Sequence, residues 1–200
     1  MAIFRYPVPT FRPSQVDPLH VDFWVNGVNL LRDGGSYSYN TDKKNTQYFN
    51  GSESHNTIQF DDYEPMPRIG RFLLSEWLSA QDVKFDYDKN FASAFYIDRF
   101  GASHRRSFTL NNKSLTVDDH IDGFNTRAVL RWRLKPGNWI LKKDGVECGV
   151  HKIKINSEVA FDIKLINGFE SRYYSERTEI PVLKVTILKK CCIRKEYFFH

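Results

Sequence analysis

The strongest constraint on this chain is the rhythm of its apolar residues. Short runs rich in β-branched and aromatic side chains are cut by Gly, Asn, Asp and Pro at intervals of roughly 8–12 residues. Runs of that length suit strands and are too short for most helices. The spacing predicts strands over His20–Val25, Val28–Asp33, Asn56–Asp61, Phe91–Asp98, Arg105–Leu110 and Ser114–Asp119. It predicts further strands over Arg127–Leu134, Trp139–Lys142, His151–Ile155, Ala160–Ile166 and Val182–Leu188. The expected fold is all-β, a two-sheet antiparallel β-sandwich formed by residues 1–200 as a single domain. Residues 1–12 and 189–200 are expected to be irregular tails. Arg71–Ala80 has a partly helical apolar spacing that equally fits a bent strand.

One local signal fixes a register. Val25-Asn26-Gly27-Val28 places Asn-Gly between apolar strands, which favours a two-residue type I′ hairpin. Pairing Val25 with Val28 sets Trp24 opposite Asn29, Asp22 opposite Leu31 and His20 opposite Asp33. Alternation then puts His20, Asp22, Trp24, Asn29, Leu31 and Asp33 on one face. Val21, Phe23, Val25, Val28, Leu30 and Arg32 take the other, which is mostly apolar. Imidazole and carboxylate are good ligands for Zn²⁺, and a cross-strand pair would present both on a rigid support. Two ligands hold an ion weakly, and a surface ion pair is the competing reading. A third ligand is available in His55, at the start of a strand that follows the polar loop Asn40–Ser54.

Composition narrows the partners. The net charge is +5, with 29 basic residues interspersed among 24 acidic ones. That is a mild bias towards anions. No zinc-finger spacing, basic helix or RNP-like strand accompanies it, so no nucleic-acid partner is expected. The three cysteines, Cys148, Cys191 and Cys192, form neither a C-x-x-C motif nor an even framework and read as free thiols. Met1–Pro13 contains no apolar core of a signal peptide, and no apolar stretch is long enough to span a bilayer. As written, the chain is expected to carry no export signal or anchor, which reads as cytoplasmic for this sequence and leaves its compartment undetermined.

A family resemblance rests on a series of short elements. Arg12-Pro13-Ser14-Gln15 leads to Leu19-His20-Val21-Asp22-Phe23-Trp24, then to Leu31-Arg32-Asp33-Gly34-Gly35-Ser36-Tyr37-Ser38-Tyr39-Asn40, then to His55-Asn56-Thr57. Met66-Pro67-Arg68, Arg71-Phe72-Leu73, His104-Arg105-Arg106-Ser107, Leu115-Thr116-Val117-Asp118-Asp119, Arg131-Trp132-Arg133-Leu134 and Ser171-Arg172-Tyr173-Tyr174-Ser175 follow in order. Across residues 8–188 this resembles the C-terminal β-domain of heparinase II/III-type polysaccharide lyases. The resemblance implies a structural divalent metal, usually zinc, held by the His of H-x-D, the Asp of D-x-G-x-Y and the His of H-N. Those are His20, Asp33 and His55 here.

The resemblance also implies β-elimination on a uronate-containing polysaccharide, in which a base takes the proton α to the carboxylate and an acid protonates the leaving oxygen. Most of those groups belong to an α-helical toroid that this sequence lacks. A histidine that some relatives carry two residues before the metal-binding one is Pro18 here. Implied partners are an acidic polysaccharide or a missing α-helical lyase domain, and longer relatives are often exported. Tyr37 and Tyr39 are candidates for a catalytic proton donor. With Tyr48 and Arg105 they are also candidates for substrate contact, set against the plainer reading of ordinary strand residues. A non-enzymatic carbohydrate-binding or protein-interaction sandwich is the alternative function. His104, Arg105 and Arg106 could grip a carboxylate but read more simply as solvated strand charges. His120, His151 and His200 have no partner suggested by spacing, and Asp61-Asp62 reads as an acidic turn.

Overall fold

The computed structural model describes residues 1–10 and 12–199; His200 lies outside them. In chain order the first strands are β1 (Ala2–Arg5), β2 (His20–Val25), β3 (Val28–Leu31), β4 (Ile58–Phe60), β5 (Arg68–Gly70) and β6 (Leu73–Leu74). Then come β7 (Gln81–Asp86), β8 (Phe91–Ile97), β9 (Ser103–Leu110), β10 (Ser114–Asp122), β11 (Ala128–Arg133) and β12 (Ile140–Lys142). The series ends with β13 (Gly145–Cys148), β14 (His151–Ser157), β15 (Phe161–Glu170), β16 (Thr178–Ile187) and β17 (Cys191–Phe198).

One large sheet runs β12-β13-β14-β17-β10-β9-β8-β7, and all its paired strands are antiparallel. Facing it, β15-β16-β11-β4 and β1-β2-β3 are stitched together where Leu31 bridges Leu134 and Arg32 N–H donates to the Arg133 carbonyl. The expected sandwich is therefore present, and a single apolar core containing Val21, Phe23, Trp132, Val185, Tyr96, Val117 and Ile193 joins both layers.

The expected tails each contain a strand, although residues 6–10 lie outside any strand. β1 pairs with β2, and β17 lies in the middle of the large sheet between β14 and β10. Alternation explains β17: Ile193, Lys195 and Tyr197 are buried on one face. Arg71–Ala80, whose spacing fitted either a helix or a bent strand, forms no helix and contains the two-residue strand β6. The one α-helix among the described residues, α1 (Lys43–Asn50), falls inside the segment read as a polar loop. Asp42 caps it, accepting from Asn45 N–H at 2.8 Å, and Phe49 is its only buried side chain.

The hairpin turn forms as expected, with positive φ at Asn26 and Gly27 and Val25 opposite Val28. Its register then changes. Trp24 faces Asn29 but Phe23 faces Leu31, which leaves Leu30 as the extra residue of a β-bulge. The one-residue slip turns Leu31 from the predicted polar face into the core, where it is 2% exposed.

Among the residues read as solvated charges, His104 and Arg106 are fully buried, whereas Arg105 points outward. Strand alternation sends both inward with Phe108. Asp119 reaches the same space from β10 and is the common acceptor. One carboxylate oxygen takes His104 Nε2 at 2.8 Å and Arg106 Nε at 2.7 Å; the other takes Arg106 Nη2 at 2.9 Å and the Lys195 ammonium. Burial opposes ionisation of Asp119, but Arg106, Lys195 and His104 hold its carboxyl well below the usual range.

Two outcomes are expected. Asp119→Asn leaves two buried cations short of their counter-charge and should cost about 3–5 kcal/mol in urea unfolding. Burial pushes His104 down to about 4, so below its ordinary pKa near 6.5 the unfolded chain binds a proton that the native state refuses. Stability should therefore fall as pH drops from about 6.5 towards 4, with a shallower slope in His104→Gln.

Candidate metal centre

The site is assembled from three segments that turn sharply. His20 opens β2 immediately after Leu19, a fully buried residue at φ +57°. That unfavourable backbone is held from three directions: His20 N–H donates to the Asp17 carbonyl at 3.1 Å, Thr57 Oγ1 donates to the Pro18 carbonyl, and Arg106 Nη1 donates to the Leu19 carbonyl at 2.6 Å. Asp33 follows β3 and is locked by Gly35 N–H, which donates to its Oδ1 at 2.6 Å. Gly35 has φ +75°, and a β-carbon there would lie 2.1 Å from the Ser171 carbonyl oxygen, so the turn requires glycine. His55 comes from the stretch between α1 and β4, through a 3₁₀ turn at Ser52–Ser54.

Asn56 ties these segments together. Its backbone N–H donates to His20 Nδ1 at 2.9 Å. Its side-chain amide donates to the carbonyls of Val21 and Arg32 and accepts from Arg133 N–H at 2.7 Å. Its own carbonyl takes Arg106 Nη1 at 2.5 Å. The buried guanidinium of the large sheet thus grips the backbone beside both histidines.

Within this frame, His20, Asp33 and His55 each present one ligand atom, all within 4.8 Å of one another. Asp33 Oδ2 lies 3.4 Å from His55 Nδ1 and 3.8 Å from His20 Nε2, and the two rings meet edge to face at 88°. Ligands of one tetrahedral zinc ion, with bonds of about 2.0–2.1 Å, stand roughly 3.3–3.4 Å apart. The bulge therefore did not cost the expected juxtaposition, although Asp33 is no longer directly opposite His20.

Fit to a cation rests on orphaned polar atoms. Among the described residues, His20 Nε2 and both ring nitrogens of His55 are buried with no hydrogen-bond partner, around an ionised carboxylate. Burial pushes His20 well below its ordinary pKa, reinforced by His55, Arg5 and Arg106 against the pull of Asp33. Burial alone would raise Asp33, but His55, His20 and Arg5 hold it well below the usual carboxylate range. A neutral imidazole beside a carboxylate is the protonation state a cation needs. Since Nδ1 of His20 accepts from Asn56, the neutral ring carries its proton on Nε2; a cation bound there requires that proton to leave, or to move to Nδ1 with the Asn56 contact relaxed.

The other sequence candidates are dispersed. Tyr37 stacks on Phe49 with centroids 5.1 Å apart. The Tyr48 hydroxyl is engaged by Phe169 N–H at 2.7 Å and Arg133 Nη1 at 3.0 Å. Tyr39 is 68% exposed and borders two recesses, one with Arg12, Arg71 and Phe72, the other with Arg172 and Tyr174. Arg105 lies on the outer face of the large sheet, paired with Asp82 at 2.6 Å and set over the Phe95 ring. His120 meets Cys192 across β10 and β17, with 3.5 Å between Nε2 and Sγ. Asp61 clamps the distant turn that leads into β11 by accepting from the N–H groups of Asn125, Thr126 and Arg127, bonds that bring its carboxyl down to about 2 despite the opposing effect of desolvation.

The heparinase II/III-like C-terminal family profile matches residues 4–164. No curated protein matches the sequence. Among solved structures, a heparinase III gene product superposes with a TM-score of 0.80 at 16% identity, covering 98% of this chain and 32% of that one. The heparan sulfate lyase HepC from Pedobacter heparinus gives 0.73 at 17% identity, with 98% and 32% coverage. The chain thus spans about a third of the length of the structures it matches.

Asn56→Ala would leave the Val21 and Arg32 carbonyls and the Arg133 N–H unpaired in a dry site. It is expected to lower stability by roughly 3 kcal/mol or more in denaturant titration, because each buried orphan costs about 1–3 kcal/mol.

Proposed function

Since the chain belongs to the heparinase II/III-like C-terminal family, we propose that it is the metal-holding β-sandwich of a polysaccharide-lyase-type protein, one that binds an acidic, uronate-containing polysaccharide and is not catalytically complete alone. The observation that carries the reading is the set of partnerless ring nitrogens on His20 and His55 around Asp33. These three residues would hold one divalent ion, and zinc suits two imidazoles and a carboxylate best. The ion would supply a cross-link between β2, the Asp33–Gly35 turn and the segment entering β4, together with charge to balance Asp33.

For the glycan, the exposed Tyr39 with Phe72, Tyr174, Arg12, Arg71 and Arg172 offers rings for sugar stacking beside guanidinium groups for carboxylate or sulfate. Of the candidate proton-transfer groups, only Tyr39 stands exposed, which supports the reading of incomplete catalysis. Pro18 has no base, the Tyr48 hydroxyl is already committed to Phe169 and Arg133, and Tyr37 is packed on Phe49. A second reading, in which the same surface seats an α-helical lyase domain, is favoured by the exposed Ile69, Phe72 and Leu73 beside it.

Elemental analysis of protein purified without added metal should find close to one ion per chain. Chelation should lower Tm in the wild type and leave His20→Ala unchanged; a metal-free wild type indifferent to chelator would refute the metal reading. In titrations with uronate polysaccharides, Tyr39→Ala and Arg71→Ala should each weaken binding. The isolated chain should release no unsaturated product by ultraviolet absorbance, and robust turnover would overturn the claim of incompleteness.

A further inference from the structure

The oxygen of Asp33 that faces both histidines is also held by a cation that belongs to the chain. Arg5 Nη1 lies 2.6 Å from Asp33 Oδ2, and the same nitrogen is 3.1 Å from Asp17 Oδ2. Arg5 reaches this place from β1, where it pairs in register with His20. The remaining oxygen of Asp33 is occupied by Gly35 N–H. The only electron-rich atom that Asp33 turns towards the imidazoles is therefore already shared with a guanidinium.

A divalent ion entering between the histidines would meet that positive charge a few ångströms away. Like charges at such range repel, and the more so where the surrounding site is partly shielded from water. A carboxylate oxygen that already accepts from a guanidinium also has less electron density to give a metal. Asp17 offers the guanidinium an alternative seat, and the Arg5 side chain is 41% exposed, so solvent leaves it room to turn.

We infer that Arg5 is a built-in counter-ion that competes with the divalent cation for Asp33 Oδ2, and that Asp17 receives the guanidinium when the cation enters. The arrangement makes the site weaker and more readily reversible than two histidines and a free carboxylate would be. It rests on the reading that the triad takes up a cation. The contrary role, in which Arg5 orients Asp33 for the metal as outer partners of ligating carboxylates commonly do, predicts the opposite sign.

Calorimetric titration of chelator-stripped chain with Zn²⁺, and with Co²⁺ followed by its visible absorption, separates these outcomes. Arg5→Met keeps an aliphatic stem and removes the charge; it should bind either ion at least about tenfold more tightly. Asp17→Asn confines the guanidinium to Asp33 and should bind more weakly than the wild type. Equal or weaker binding by a folded Arg5→Met protein, with a clear Co²⁺ spectrum in the wild type, would overturn the competition while leaving the metal site standing. Absence of binding in both proteins would overturn the metal site and the competition together. If Arg5→Met does not fold, Asp17→Asn decides the matter: unchanged or tighter binding refutes the inference.

Discussion

Asn56 makes hydrogen bonds to His20, Val21, Arg32, Arg133 and Arg106 while wholly shielded from water. Those partners lie on β2, just after β3, on β11 and on β9, so a single side chain and its peptide groups hold both layers of the sandwich in relation to the histidine beside it. In a dry interior each of these bonds is costly to leave unmade, which makes the arrangement close to all-or-none. The geometry of the triad is a by-product of this knot: His55 precedes it in the chain, His20 receives its N–H, and Arg32, whose carbonyl it takes, precedes Asp33.

Arg106 extends the same logic into the opposite sheet. It spans the core, gripping Asp119 at one end and the carbonyls of Leu19 and Asn56 at the other. Burying a guanidinium, an ammonium and one carboxylate is an expensive way to fill a sandwich, and apolar residues of similar volume often do as well for stability. What the charges add is direction. They satisfy the carbonyl of a strained leucine and so hold His20 in an orientation that greasy packing alone would not specify.

Much of this was legible in the residues. The Asn-Gly turn and most central strands were readable because hairpin chemistry and two-residue alternation are local signals; the regular register that set Asp33 opposite His20 did not survive the bulge. The structure brings the potential ligand atoms of His20, Asp33 and His55 within 4.8 Å of one another. The inward placement of Asp119 was also available, since Leu115, Val117, Asp119 and Ile121 alternate on one face, yet a charged residue in an acidic run reads as solvated when taken alone. The bulge at Leu30 left no mark in composition, because nothing local distinguishes an extra residue from a regular one. α1 escaped notice because eight mostly polar residues carry too little periodicity, and Arg5 because its role depends on a strand pairing between β1 and β2.

That bulge bears on how freely the protein can vary. A perfectly paired β2–β3 ribbon would satisfy more backbone groups, and local chemistry alone would favour it. Regular pairing, however, would turn Leu31 out of the apolar core to the face of His20 and Asp22 and break its bridge to Leu134, where β3 joins the neighbouring strands. An irregularity usually counted as a flaw in a ladder is thus the joint that lets a small three-stranded flap merge with a larger sheet, and any change in hairpin length would have to be absorbed elsewhere before that seam could close again.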